Sequence, residues 1–192
     1  MTHYANLIKE FKESGKGLMT YNQYLYCAML TKVLSPCNFL VFGLGEDSPL
    51  WQKINKNGRT VFLEDDTDWI RQFDDQELEI YSVEYNTKAK DHEQIGFDAD
   101  KLKMNLPETI RETEWDFILV DGPLGHNPPR PYKGPGRMQS IFTAYELLKE
   151  GGICIVDDAA RHIESTYSCH YFGKENCLLT IEDKVSIFKK EK

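Results

Sequence analysis

The chain has 192 residues, 41% apolar and 12% aromatic, enough to bury a sizeable core and unlike the make-up of a disordered chain. Its formal net charge of −8, from 31 acidic and 23 basic residues, argues against a nucleic-acid backbone as the main partner. No apolar run approaches the ~20 residues that span a bilayer, and Met1-Thr2-His3-Tyr4 shows no leader pattern, so no membrane partner and a cytoplasmic location are expected.

Residues 4–12 and 21–34 read as amphipathic helices separated by Gly15-Lys16-Gly17, forming an N-terminal helical segment (1–35) on the cofactor side of one domain spanning 1–192. A strand over 38–42 is followed by a helix over 49–56, closed by Asn57-Gly58, and a second strand over 59–63. A helix over 67–73 and a third strand over 79–83 come next, and 88–110 is polar, a loop with an irregular helix. The fourth strand is expected over 116–120. Residues 122–136 form a long irregular segment that carries five of the eight prolines. A helix over 137–149, a fifth strand over 153–156, a helix over 163–172 and a closing hairpin of 177–181 and 185–188 complete the chain. Strands alternating with helices predict an α/β fold: a seven-stranded, mostly parallel sheet with a C-terminal antiparallel hairpin and helices on both faces. The five cysteines (Cys27, Cys37, Cys154, Cys169, Cys177) lack C-x-x-C spacing and read as reduced thiols.

The first strand ends in Gly43-Leu44-Gly45, and Glu64 stands 19 positions after Gly45, at the end of the second strand. Strand, glycine turn, helix and a distal acidic residue make a nucleoside-binding βαβ unit, in which the glycines admit the ligand and the carboxylate takes ribose hydroxyls. Ser48 replaces the third glycine of the dinucleotide pattern, and Glu46 and Asp47 follow the turn directly. Carboxylates there would repel a pyrophosphate but tolerate a sulfonium and an amino group, which favours S-adenosylmethionine over a dinucleotide. The plainer reading of Glu46 and Asp47 is stabilisation of the next helix's first turn. Ligands in such sheets bind at the carboxyl ends of the strands. The candidate cofactor residues are therefore Gly43, Gly45, Glu64, Asp65, Glu84, Tyr85 and Asp121, with Asp157 and Asp158 at the end of the fifth strand.

Pro36-Cys37-Asn38-Phe39-Leu40-Val41-Phe42-Gly43-Leu44-Gly45, then Asp47-Ser48, Trp51, Thr60-Val61-Phe62-Leu63-Glu64-Asp65-Asp66 and Trp69 resemble the glucuronoxylan 4-O-methyltransferase family of plant cell-wall enzymes. Val83-x-Tyr85-x-Thr87, Thr113-Glu114-Trp115-Asp116, Val120-Asp121-Gly122-Pro123, Pro135-Gly136-Arg137-Met138 and Ile141-Phe142 extend the likeness over roughly residues 36–161. The resemblance implies a Rossmann-like class I methyltransferase fold and methyl transfer from S-adenosylmethionine to a sugar hydroxyl of a glycan, a uronic acid or deoxyhexose among the candidates. The plant enzymes carry an N-terminal membrane anchor; this sequence shows none and reads as a soluble relative or as one domain of a longer protein. Asp157-Asp158-Ala159-Ala160-Arg161 stands where the family tends to have His-Asp-x-x-Arg, and the loop after Gly125 also differs.

In this fold Asp121, Asp157 and Asp158 would converge beside the methyl group. A neutral sugar hydroxyl needs a nearby base or a metal that lowers its pKa. The three aspartates resemble the acidic set of cation-dependent O-methyltransferases and suit magnesium or manganese. The metal-free reading makes Asp157, Asp158 or His126 the general base. Arg130, Tyr132, Arg137 and Arg161 are the candidate acceptor ligands, from the proline-rich loop and the ends of the flanking helices. Tyr21, Tyr24 and Tyr26 read as core or as a cofactor cover, and Trp51, Trp69 and Trp115 as core. A phenolic or antibiotic-like acceptor, or a module that holds the cofactor without turnover, are the competing readings.

Overall fold

The computed structural model describes residues 2–123 and 134–191. Helix α1 (Thr2–Glu13) leads into α2 (Tyr21–Leu34), which begins at a capping box: Thr20 Oγ1 accepts from Gln23 N while Gln23 Oε1 accepts from Thr20 N. The first βαβ unit is β1 (Asn38–Phe42), α3 (Ser48–Ile54) and β2 (Arg59–Glu64). Helix α4 (Thr67–Ile70), a 3-10 turn (Arg71–Phe73) and β3 (Glu79–Ser82) follow. A 3-10 turn (Ala89–Asp91) and three one-turn helices, α5 (His92–Ile95), α6 (Ala99–Leu102) and α7 (Glu108–Arg111), lead to β4 (Trp115–Val120). Then come α8 (Met138–Leu147), β5 (Leu148–Val156), α9 (His162–Phe172), a 3-10 turn (Lys174–Asn176), β6 (Cys177–Ile181) and β7 (Val185–Lys189).

The seven strands form one sheet in the order β3-β2-β1-β4-β5-β7-β6. The first five run parallel, and β7 pairs antiparallel with both β5 and β6. Successive side chains of a strand point to opposite faces, so an apolar run covered on both sides feeds two cores. Leu40 and Phe42 of β1, Ile118 and Val120 of β4, and Cys154 and Val156 of β5 pack beneath residues of α8 and α9. Phe39 and Val41, Phe117 and Leu119, and Ile153 and Ile155 pack on the opposite face against residues of α1, α2 and α3. That double burial is why these strands read as unbroken apolar runs rather than as alternating patterns.

Most boundaries lie within two residues of expectation, and the expected helix over 67–73 ends as α4 plus a 3-10 turn; the junction of α8 and β5 departs furthest. The helix predicted over 137–149 spans Met138–Leu147, and the fifth strand starts at Leu148 instead of residue 153. Leu148 pairs with Trp115, and Lys190 Nζ donates to the carbonyls of Tyr145 (2.6 Å) and Leu148 (2.8 Å), ending the helix early. The five cysteines are free thiols. Among the described residues no helix is long and apolar enough to cross a membrane.

Candidate functional site

Strand order reverses between β1 and β4, and the turns after these two strands meet there. Gly43 has φ +107°, and a Cβ added to it would lie 3.0 Å from Gly122 N; one added to Gly122 would lie 2.7 Å from Gly43 Cα. The two backbones touch, so neither position has room for a side chain. The β1 turn is then pinned at each of its residues. Gly45 N donates to Ser48 Oγ at 3.0 Å, which gives the serine at the third-glycine position its use. Leu44 N donates to Glu64 Oε2 at 2.8 Å, and Trp69 Nε1 donates to Leu44 O at 2.6 Å. Glu64 Oε1 also accepts from Asp65 N (2.9 Å) and Asp66 N (3.0 Å). A carboxylate offers roughly four acceptor positions, so these three bonds leave one of them, on Oε2, unused among the described residues.

Asp47 stands at the N-cap of α3 but makes no side-chain cap bond to it. Its Oδ2 accepts from Tyr24 Oη at 3.0 Å, and burial pushes its pKa up. Tyr24 is fully buried, whereas Tyr21 and Tyr26 are exposed, so among the tyrosines of α2 it is Tyr24 that reaches the segment after the glycine turn. Trp51 and Trp115 are core residues as expected. Trp69 packs half-buried against the edge of the core and in addition braces the glycine turn. Glu84 and Asp65 are exposed beside the ends of β3 and β2. Desolvation, then the adjacent Glu64 carboxylate, push Asp65 up to about 6. Ser140 Oγ donates to Gly122 O at 2.8 Å and lies 3.2 Å from Tyr85 Oη, which links Tyr85 to the β4 turn.

Asp121, Asp157 and Asp158 come together, with one carboxylate oxygen from each lying within 4.8 Å of the others. Asp121 N donates to Phe42 O and Asp157 N to Val120 O, both at 3.0 Å, so the sheet ladder itself carries the two residues to their places. Their side chains differ in exposure: 36% for Asp121, 4% for Asp157 and 15% for Asp158. Asp121 is the one that faces outward, yet desolvation by the surrounding protein pushes it well above the usual carboxylate range, with Asp157 and Asp47 adding to the effect and Arg137 opposing it.

Three cations hold this cluster. Arg137 Nη2 lies 3.1 Å from Asp121 Oδ1 and 3.3 Å from Asp158 Oδ2. Its donors also reach the carbonyls of Asp157 (2.7 Å), Asp121 (2.5 Å) and Pro123 (3.4 Å). Arg161 pairs with Asp158 at 2.9 Å and Lys184 with Asp157 at 3.4 Å. The acceptor role expected of Arg137 therefore gives way to an internal one, because its guanidinium is 6% exposed and its fork is engaged by backbone and carboxylates. Arg161 stays partly open at the rim. His126, Arg130 and Tyr132 lie outside the described residues. The cluster also fits a hard divalent cation. Its donors are all oxygens, and Asp157 Oδ1 is buried with no hydrogen-bond partner among the described residues.

Sequence reasoning left Tyr24 open between core and cofactor cover, and missed Trp69 and Lys184 as neighbours of the turn and the acidic cluster. The acidic turn and the apolar strands announce themselves locally, whereas these three owe their place to contacts 23, 25 and 27 positions away, with Asp47, Leu44 and Asp157.

The IRX15/IRX15L/GXM family model matches residues 24–103 and 93–188. The chain belongs to this family. Among curated relatives, it is 40% identical to glucuronoxylan 4-O-methyltransferase 1 of Arabidopsis thaliana, over 70% of this chain and 54% of that protein. It is 33% identical to arabinogalactan O-methyltransferase 1 of the same plant, over 72% of this chain and 56% of the relative. The chain thus spans about half the length of these relatives. Among solved structures, the MycE methyltransferase of the mycinamycin biosynthetic pathway, in complex with Mg and SAH, superposes with a TM-score of 0.55 at 14% identity, over 96% of this chain and 49% of that one. The fold is that of a class I methyltransferase.

Proposed function

We propose that the chain is an S-adenosylmethionine-dependent O-methyltransferase that acts on a sugar hydroxyl of a glycan. The observation that carries this reading is the placement of Asp121, Asp157 and Asp158 at the switch point, beside a glycine turn pinned by Glu64. The relatives named for methylating glucuronoxylan and arabinogalactan support a glycan as acceptor class.

Glu64 would take the ribose hydroxyls through its open Oε2 position. Asp47 and the acidic cluster provide negative potential for the sulfonium and amino group. The acceptor oxygen attacks the methyl carbon as the carbon–sulfur bond breaks, leaving the thioether, and the hydroxyl proton passes to Asp121, the outward carboxylate. Most of the catalysis is alignment of oxygen, methyl and sulfur with water kept out. Asp121, Asp157 and Asp158 would hold a magnesium or manganese ion in the same place, and such an ion, when bound, lowers the pKa of a coordinated hydroxyl.

The deciding experiment is transfer of labelled methyl from S-adenosylmethionine to glucuronoxylan, arabinogalactan and a set of phenols, with and without EDTA. Labelling of a glycan that exceeds labelling of every phenol supports the reading; labelling of phenols alone refutes it. Loss of transfer with EDTA and recovery with magnesium or manganese would identify the ion as part of the reaction. Cofactor binding without transfer to any acceptor would favour a module that does not catalyse.

Replacement Glu64→Gln keeps one acceptor oxygen for the turn but removes the charge offered to the ribose. The dissociation constant for S-adenosylhomocysteine should rise about tenfold by calorimetry, the value of one charge-assisted hydrogen bond. Unchanged affinity would contradict the ribose assignment.

A further inference from the structure

The β6–β7 turn touches both sides of the site. Lys184 N donates to Ile181 O at 3.1 Å, closing a tight turn whose central residues, Glu182 and Asp183, have φ of 52° and 51°. Such left-handed positions ordinarily go to Gly, Asn or Asp. A glutamate at the first of them is accounted for by its side chain. Glu182 accepts from Thr20 Oγ1 at 2.6 Å and from Asn22 Nδ2 at 3.0 Å, at the start of α2. One helical turn on, Tyr24 of the same helix donates to Asp47 in the segment that follows the glycine turn.

The other side of the hairpin turn faces the acidic cluster. Antiparallel β5 and β7 pair Val156 with Ser186, and the same register carried two residues further sets Lys184 level with Asp158. Ala159 N donates to Lys184 O at 2.7 Å, which fixes the lysine backbone there. Lys184 Nζ then lies 3.4 Å from Asp157 Oδ1 and 3.9 Å from Asp158 Oδ1. Its ammonium is the nearest described cation to the buried Asp157 Oδ1, which accepts no hydrogen bond among the described residues.

We propose that Lys184 is a positioning residue of the acidic cluster and that Glu182, by clamping the same turn to α2, couples the cofactor turn to that cluster. Lys184 holds Asp157 in place from the solvent side while Arg137 holds it from within. Glu182 acts at both ends: it seats α2, and with it Tyr24 on Asp47, and it keeps Lys184 at its register position. The kinetic half of the proposal rests on the methyl-transfer reading; the binding half does not.

The test uses Lys184→Met, Lys184→Arg, Glu182→Ala and Glu182→Gln in the full chain, with S-adenosylhomocysteine affinity and methyl transfer measured on each. Lys184→Met should lower kcat about 100-fold, the scale of a misplaced reacting group, with the S-adenosylhomocysteine Kd unchanged and partial recovery in Lys184→Arg. Glu182→Ala should raise that Kd about fivefold, the low end of measured coupling between sites, and Glu182→Gln should stay near wild type. Wild-type kcat in Lys184→Met, or unchanged affinity in Glu182→Ala, would overturn the proposal. If the wild-type chain transfers no methyl group, the proposed function falls, while the affinity of Glu182→Ala still decides the coupling.

Discussion

Asp121→Asn should lower methyl transfer by about three orders of magnitude, within the range for loss of a positioned acid–base group, while S-adenosylhomocysteine still binds within about threefold of the wild-type affinity. Asparagine matches aspartate in shape and keeps an oxygen for Arg137 Nη2, which lies 3.1 Å away in the wild type. The backbone of residue 121 is also anchored independently of its side chain, by donation to Phe42 O at the end of β1. Fold and cofactor turn should therefore persist, and the missing property is the ability to accept a proton. Of the three aspartates only this one has a carboxylate more than a third exposed, so it is the one that an incoming hydroxyl reaches. Single-turnover transfer of labelled methyl, paired with calorimetry, separates the two effects. Turnover close to the wild-type rate would remove Asp121 from the mechanism, and loss of both turnover and affinity would make it a cofactor ligand first.

Arg137→Met should destabilise the protein by about 3–5 kcal/mol, the cost of breaking a buried ion pair from one side. Methionine fills the aliphatic volume but leaves three carboxylates, whose nearest oxygens lie within 4.8 Å of one another, without their central cation. Three backbone carbonyls, of Asp121, Pro123 and Asp157, lose their donor as well. For a chain of this size each kcal/mol corresponds to about 2–4 °C, so Tm should fall by roughly 10 °C. Thermal unfolding followed by circular dichroism measures it. A Tm within a degree or two of wild type would mean that Lys184 and Arg161 suffice to balance the cluster. Partial restoration of Tm by millimolar magnesium would show a divalent ion taking up the vacated charge.

Much of the frame was legible before any coordinates. Strand β1 and the hairpin strands β6 and β7 fall where the apolar runs and turn residues put them, within a residue. The glycine turn with Glu64 pointed to the end of the sheet where the three aspartates gather, because a tight turn and a strand-end carboxylate are local features that survive any packing. The boundary at Leu148 was not legible in the same way, since the helix-forming run through Lys149 is overruled by pairing of Leu148 with Trp115 and by Lys190 on the carbonyls of Tyr145 and Leu148. Residues 88–110 resolve into a 3-10 turn and three one-turn helices with no period long enough to be read.

The sequence by itself determined the layered α/β arrangement, the glycine turn and which carboxylates stand at strand ends, because burial on two faces and turn chemistry act over a few neighbouring residues. Only the tertiary structure decided what those carboxylates meet. Arg137 became their buried counter-charge rather than an acceptor ligand, Trp69 and Tyr24 became braces of the turn and its flank, and Lys184 arrived from the far hairpin. Each of these depends on a register or a loop closure that brings together residues 16 to 27 positions apart, and no local propensity encodes such a meeting.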